Sequence, residues 1–321
     1  MPSVLTHYGF SRSLFNDKLE FLRDNQDIYL LGSQGPDPFF FYGILPFLKA
    51  DNKKEIRAYG TKLHKKDPVD SFEFFFEFAN NSKEKDVLYS YILGAGQHFI
   101  LDRKIHPYVF YKTGFSDDDK LKRKYFCDHT LFETNLDVLL LDDFYKDYKT
   151  TALNSILCDE DKVEEVSEMY YEFAKKNNEE VIEDDSFEDS YEHMCSIEKV
   201  LYSKRGIKKW FVNLLFKKTA FNTMMHPLKV KDRDKVDYLN TQKTLWKDPA
   251  TETEHYESLY ELIDQCAVEA KEWEQIVLKF YNGETVDLKS FTKKYIYDGY
   301  VEGNKMKVFE NVYEKEARNK W

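Results

Sequence analysis

The chain has 321 residues, 42% hydrophobic, 17% aromatic and 33% charged, with a formal net charge of −11. That length and apolar content exclude a wholly disordered chain and allow a large core without disulfide staples. Twelve glycines and eight prolines are few for a turn-rich all-β or low-complexity protein. The acidic balance argues against a protein that coats nucleic acid through a general basic surface.

The first residues, MPSVLTHYGFSRSLF, lack the basic segment and apolar run of a secretory signal. Nowhere do 18 consecutive apolar residues occur, so a soluble, cytoplasmic protein is expected. Ser13 predicts an N-cap for a helix over Leu14–Arg23, with Leu14, Leu19, Phe21 and Leu22 apolar. A loop over Leu31–Asp37 follows. Asp70 or Ser71 opens a Phe-rich helix through Phe72, Phe74, Phe75, Phe76 and Phe78. A long helical pattern over Asp86–Lys104 is expected to stop before Pro107, whose ring disfavours helix at His106. Another covers Asp118–Asp142. The acidic run Asp159–Asp189 reads as surface helix, loop and helix, broken at Asn177-Asn178.

Ser196–Thr223 reverses the sign, with Lys204, Arg205, Lys208 and Lys209 interleaved with Trp210, Phe211 and Leu214. It reads as an amphipathic core helix with solvated lysines, or as a membrane-surface or RNA contact. A last long helix is expected over Thr253–Tyr281. Period-2 strand patterns are nearly absent, and no linker is long enough to force two domains. The expected fold is all-α, one multi-helix domain over residues 1–321.

Four cysteines lie far apart without a CxxC pair, which leaves no thiolate zinc site and no redox motif. P-loop, GxSxG, HExxH, EF-hand and adjacent His-Asp patterns are all missing. What stands out is the placement of histidine. Five of the eight fall within the first 129 residues: His7, His64, His98, His106 and His129. His98 has Asp102 four residues on, and His129 has Glu133, so each pair shares a helix face and suits one cation. Chance alone gives about 1.4 such pairs at this composition. The information lies in the order: His7, Gly32-x-x-Gly35-Pro36-Asp37, His64, His98-x-x-x-Asp102-x-x-x-His106, His129-x-x-x-Glu133.

That ordered set resembles the zinc-dependent phospholipase C family, whose all-α fold is shared with single-strand-specific zinc nucleases. The resemblance spans His7 to Glu133, with weaker support from Trp246-Lys-Asp-Pro249 ahead of a long helix. It implies a metal-ligand core in residues 1–145 and additional helices in 146–321. It also implies a phospholipase C-type phosphodiesterase that uses metal-activated water. Asp37, His64, His98 and Asp102 would hold one zinc, and His106, His129 and Glu133 a second. His7 would hold a third, with Asp102 bridging and the N-terminal amine and carbonyl completing the shell. Asp37 would also orient or deprotonate the attacking water. Secreted members of the family present an N-terminal tryptophan, whereas this sequence begins Met1-Pro2, a departure at the third ion's last ligand.

Imidazoles and carboxylates without thiolate suit Zn²⁺, and also Mn²⁺ or Fe²⁺. Three carboxylates against two or three such ions leave a net positive site within an acidic protein, fit for a phosphodiester. Phe39, Phe40 and Tyr42, just after Asp37, are candidates to wall a substrate pocket, or else pack beneath the metal loop. In the choline-lipid-specific member of the family, aromatics stand where this chain has Pro38 and Thr61, so no choline pocket is evident. The expected partner is a small-molecule or lipid phosphoester, with transient membrane-surface contact. Two other readings are a single-strand nuclease and a non-catalytic, metal-stabilised binding protein. Ordinary structural roles are expected for His193, His226 and His255. The sequence carries no reading of the oligomeric state.

Overall fold

The structure, a computed structural model, describes residues 4–44, 50–116, 118–143, 157–201, 223–227, 229–230, 232–307 and 312. Ten α-helices lie among the described residues: α1 (Val4–Leu14), α2 (Gln26–Gly32), α3 (Lys53–His64), α4 (Val69–Asn81), α5 (Lys85–Thr113), α6 (Asp119–Asp143), α7 (Glu160–Lys176), α8 (Ser186–Leu201), α9 (Leu259–Tyr281) and α10 (Leu288–Thr292). Two residue pairs, β1 (Trp246–Lys247) and β2 (Glu254–His255), form a minimal antiparallel ladder. The fold is therefore all-α, as the periodicity predicts. No described helix is long and apolar enough to cross a membrane.

Helix α5 is the centre of the packing. It lies against α2, α4, α6, α7 and α9 and is buried along most of its length. A helix covered on so many sides needs apolar residues all round rather than one stripe, which is what Val87–Ile105 supplies. The Phe-rich α4 closes one flank. Phe72 and Phe76 pack on Trp273 of α9 at ring distances of 4.8 and 5.8 Å, and Trp273 Nε1–H donates to the Leu93 carbonyl at 3.1 Å. Tyr170 of α7 and Phe187 of α8 stack at 4.8 Å, so the acidic run hides an apolar inner face behind its carboxylates. As the sequence predicts, that run breaks at Asn177 and Asn178, the latter with φ 58°.

Three boundaries differ from expectation. The helix expected over Leu14–Arg23 lies instead at Val4–Leu14, followed only by a 3₁₀ turn at Glu20–Leu22. Its start is stabilised from a distance: Asp137 of α6 accepts from Leu5 N–H at 3.3 Å and Thr6 N–H at 2.8 Å, taking up unpaired donors at the helix N-terminus. Helix α5 also runs through Pro107 instead of stopping before it. Proline removes the bond to the Arg103 carbonyl, and packing on both flanks carries the helix past the gap. The last long helix begins at Leu259 rather than Thr253, because Ser258 and Glu261 form a reciprocal capping box. Beyond Leu201, the basic segment expected within Ser196–Thr223 lies outside the described residues up to 222.

Candidate metal centre

Five elements converge on one buried cluster. His7 comes from α1, and Asp37 opens a 3₁₀ turn over Asp37–Phe41. His64 is the last residue of α3, while His98, Asp102 and His106 occupy successive turns of α5. His129 and Glu133 lie one turn apart on α6. All eight are at most 8% exposed.

Their ligand atoms fall into three compact groups: His7, His98 and Asp102; Asp37, His64 and His98; His106, His129 and Glu133. His98 belongs to two of them. The resemblance implies bridging by Asp102 alone; here His98 and Asp102 together link the neighbouring groups. Asp102 lies 3.1 Å from His7 Nε2, 3.3 Å from His98 Nε2 and 3.7 Å from His106 Nε2. Asp37 lies 2.9 Å from His64 Nε2, and Glu133 Oε1 is 3.4 and 3.1 Å from Nε2 of His106 and His129.

For three of the five rings the far side decides what these contacts are, while Nδ1 of His7 and of His129 is buried without a hydrogen-bond partner among the described residues. His64 Nδ1–H donates to the Gly60 carbonyl at 2.7 Å, His98 Nδ1–H to that of Ser33 at 3.1 Å, and His106 Nδ1–H to that of Tyr297 at 2.7 Å. A neutral imidazole anchored in this way turns a bare Nε2 lone pair towards the carboxylates. Lone pair then faces lone pair, which is repulsive unless a cation or proton lies between. Accordingly, Asp37 Oδ1 and Oδ2, His64 Nε2, His98 Nε2, Asp102 Oδ2 and Glu133 Oε2 are all buried without a hydrogen-bond partner. Two ligand atoms on one tetrahedral zinc lie about 3.4 Å apart, close to the separations seen here. The donor set, its burial and its orphaned atoms therefore fit divalent metal.

Without metal, part of this repulsion is relieved by a proton. Burial opposes charge on His106, but Asp102 and Glu133 overcome it and raise its pKa to about 10. Burial lowers His98 to about 4, only partly opposed by Asp102. Burial would raise Asp102, yet His106, His98 and His7 hold it well below the usual carboxylate range. Glu133 is likewise depressed, against burial, by His129 and His106.

The loop before Asp37 is shaped by the cluster. Gly35 has φ +52°, and a Cβ there would stand 2.5 Å from the His98 ring. Only glycine combines that conformation with so close an approach. Of the aromatics after Asp37, Phe40 lies 4.9 Å from the His64 ring. Phe39 and Tyr42 are core: Phe39 packs edge-on against Tyr59, Tyr170 and Phe187, and Tyr42 against His193. His193 Nδ1 accepts from Gly43 N–H at 3.0 Å, His226 meets Asp137 at 2.8 Å, and His255 stacks on Trp246. These are structural contacts.

Two supporting residues escaped the sequence reading. Asp137, four residues beyond Glu133, extends the His129–Glu133 face and holds the turn that presents His7; that spacing was available as a clue. Tyr297 acts through backbone atoms, for which a sequence carries no signal, and through a ring packed against His64 and His98.

The family model of zinc-dependent phospholipase C matches residues 6–183. All eight clustered residues lie within that span. No curated protein and no solved structure matches the chain. With more than half of its length matched, the chain belongs to the zinc-dependent phospholipase C family.

Proposed function

We propose that this chain is a metal-dependent phosphodiesterase of the phospholipase C type. The observation that carries the reading is the set of bare, buried imidazole and carboxylate atoms facing one another with no partner. When bound, divalent ions supply Lewis-acid stabilisation of phosphoryl oxygens and lower the pKa of water. The chain's residues do the rest. His64 and His98 are locked in one tautomer by the Gly60 and Ser33 carbonyls, and the Tyr297 carbonyl fixes the ring of His106, so the rings are oriented before anything binds. Asp37 has two oxygens without a hydrogen-bond partner among the described residues. One can serve the cation beside His64, and the other can orient the attacking water and take its proton. The resident metal is proposed to be zinc, two or three ions per chain, and the substrate a small-molecule or lipid phosphoester.

The test is metal analysis of the purified protein, followed by turnover of bis(p-nitrophenyl) phosphate and a panel of phospholipids and single-stranded nucleic acid. Bound zinc and diester hydrolysis, both lost in His98→Ala, are expected. Preferential turnover of nucleic acid would move the assignment to a nuclease. Full hydrolysis by His98→Ala would refute the site.

A further inference from the structure

We infer that the hairpin strap over residues 294–302 is a positioning element for the metal centre, and that Tyr297 sets the spacing between two of its groups. This rests on the metal-centre reading above, but the strap lies outside the part of the chain that the family model matches.

Tyr297 touches three of the clustered histidines from two different groups. Its carbonyl accepts His106 Nδ1–H at 2.7 Å. Its N–H donates to the His64 carbonyl at 3.3 Å. Because His64 ends α3, that carbonyl has no partner within its own helix. The Tyr297 ring lies 4.8 Å from the His64 ring and 5.6 Å from that of His98, and the residue is 5% exposed. One peptide unit on each side of a single Cα thus ties the end of α3 to the C-terminal third of α5. The distance from the Asp37–His64–His98 group to the His106–His129–Glu133 group cannot change without breaking one of these bonds.

The strap is itself held in place. It closes through Ile296 N–H to the Tyr300 carbonyl at 2.9 Å and Glu302 N–H to that of Lys294 at 2.8 Å. Asp298 pairs with Lys65, the residue after His64. Gly299, with φ +83°, lies flat on α5: a Cβ there would stand 2.4 Å from Pro107 Cγ and 2.5 Å from the Arg103 carbonyl oxygen. That is the gap opened in α5 by Pro107, directly after His106. The proline that interrupts the helix therefore makes the seat into which the strap fits. Partners that orient ligating imidazoles are worth roughly ten- to hundredfold in metal affinity.

The experiment titrates the metal-stripped full chain with Co²⁺, following the visible absorption bands, with far-UV circular dichroism as the folding control. Gly299→Val, which cannot seat on Pro107, and Tyr297→Ala, which removes the ring from His64 and His98, are compared with wild type. Tyr297→Phe keeps the ring and both backbone groups. The expected result is a ten- to hundredfold weaker midpoint with altered bands for Gly299→Val, weaker binding for Tyr297→Ala, and wild-type behaviour for Tyr297→Phe. Should Gly299→Val lose its helix content, Tyr297→Ala decides by the same titration. Variants that melt earlier yet keep the wild-type midpoint and bands would show a strap that only stabilises the fold, and would overturn the inference. A wild-type chain that binds no Co²⁺ would instead overturn the metal-centre reading itself.

Discussion

Asp102→Asn tests the cluster at its hub. Asp102 is 4% exposed and stands within 3.1 to 3.7 Å of Nε2 of His7, His98 and His106. Asparagine keeps the shape and one carbonyl oxygen but removes the negative charge shared among those rings. Loss of a supporting residue around a metal weakens binding by up to about a hundredfold, and loss of a shared carboxylate is expected to weaken it at least that much. The consequence can be read in thermal stability. At free zinc a thousandfold above its dissociation constant, one site stabilises the fold by about 4 kcal/mol. Unfolding entropy of about 2.1 cal/mol/K per residue, over 321 residues, converts this into a rise in Tm of about 6 °C per ion. At the same free zinc, a hundredfold weaker variant sits only tenfold above its constant, gains about 1.4 kcal/mol and rises by about 2 °C. The assay is melting followed by circular dichroism in chelator-buffered zinc. A wild type indifferent to zinc, or an Asp102→Asn variant with the full wild-type rise, would refute the assignment of Asp102 to the centre.

Other consequences follow from the same structure. Metal uptake must displace the proton from His106, raised to about 10 by Asp102 and Glu133 against the effect of burial, so loading near neutral pH should release about one proton or more per chain. A calorimetric heat independent of buffer ionisation enthalpy would contradict this. Burial lifts Glu198 to about 7 from 4.5, with His226 opposing and Asp137 reinforcing. The unfolded chain gives up this proton first, so the folded state is the more protonated between those values and its stability falls as pH rises through that window, by about 3 kcal/mol. Glu198→Gln should therefore be more stable than wild type by up to that amount near pH 8 and similar to it near pH 4; an equal difference at both values in urea unfolding would refute the linkage. Trp273 is fully buried against Phe72, Phe76 and Phe291. Trp273→Ala should cost about 3–5 kcal/mol, readable as a fall in Tm of several degrees, with zinc stoichiometry unchanged if the metal centre is local.

The centre stores repulsion that only an ion or a proton can relieve. Six of the orphaned atoms belong to Asp37, His64, His98, Asp102 and Glu133, at the heart of a well-packed core. A fold gains nothing from such groups unless an ion completes them, since unpaired buried polar atoms are destabilising. The candidate ligand atoms form linked groups around Asp102 and His98 rather than one closed tetrahedron.

Much of this was legible before any coordinates. The all-α class follows from apolar periodicity and the near absence of alternation. The eight candidate residues follow from the family resemblance that their order along the chain carries; the i, i+4 pairs on α5 and α6 add only that each pair shares a face, because a regular helix converts spacing directly into a shared face. What depended on distant contacts could not be read this way. Helix α1 lies at Val4–Leu14, where a carboxylate more than a hundred residues away accepts from the N–H groups of Leu5 and Thr6. Helix α5 passes through Pro107 because its neighbours hold it on both flanks. The aromatics after Asp37 divide between core and site according to the packing of α3, α7 and α8. The carbonyls that set the imidazole tautomers are backbone atoms, present at every position and therefore invisible in a string of side chains. Residue types and helical spacing determined which groups could ligate; tertiary packing decided which way each lone pair points, because that depends on what stands behind the ring.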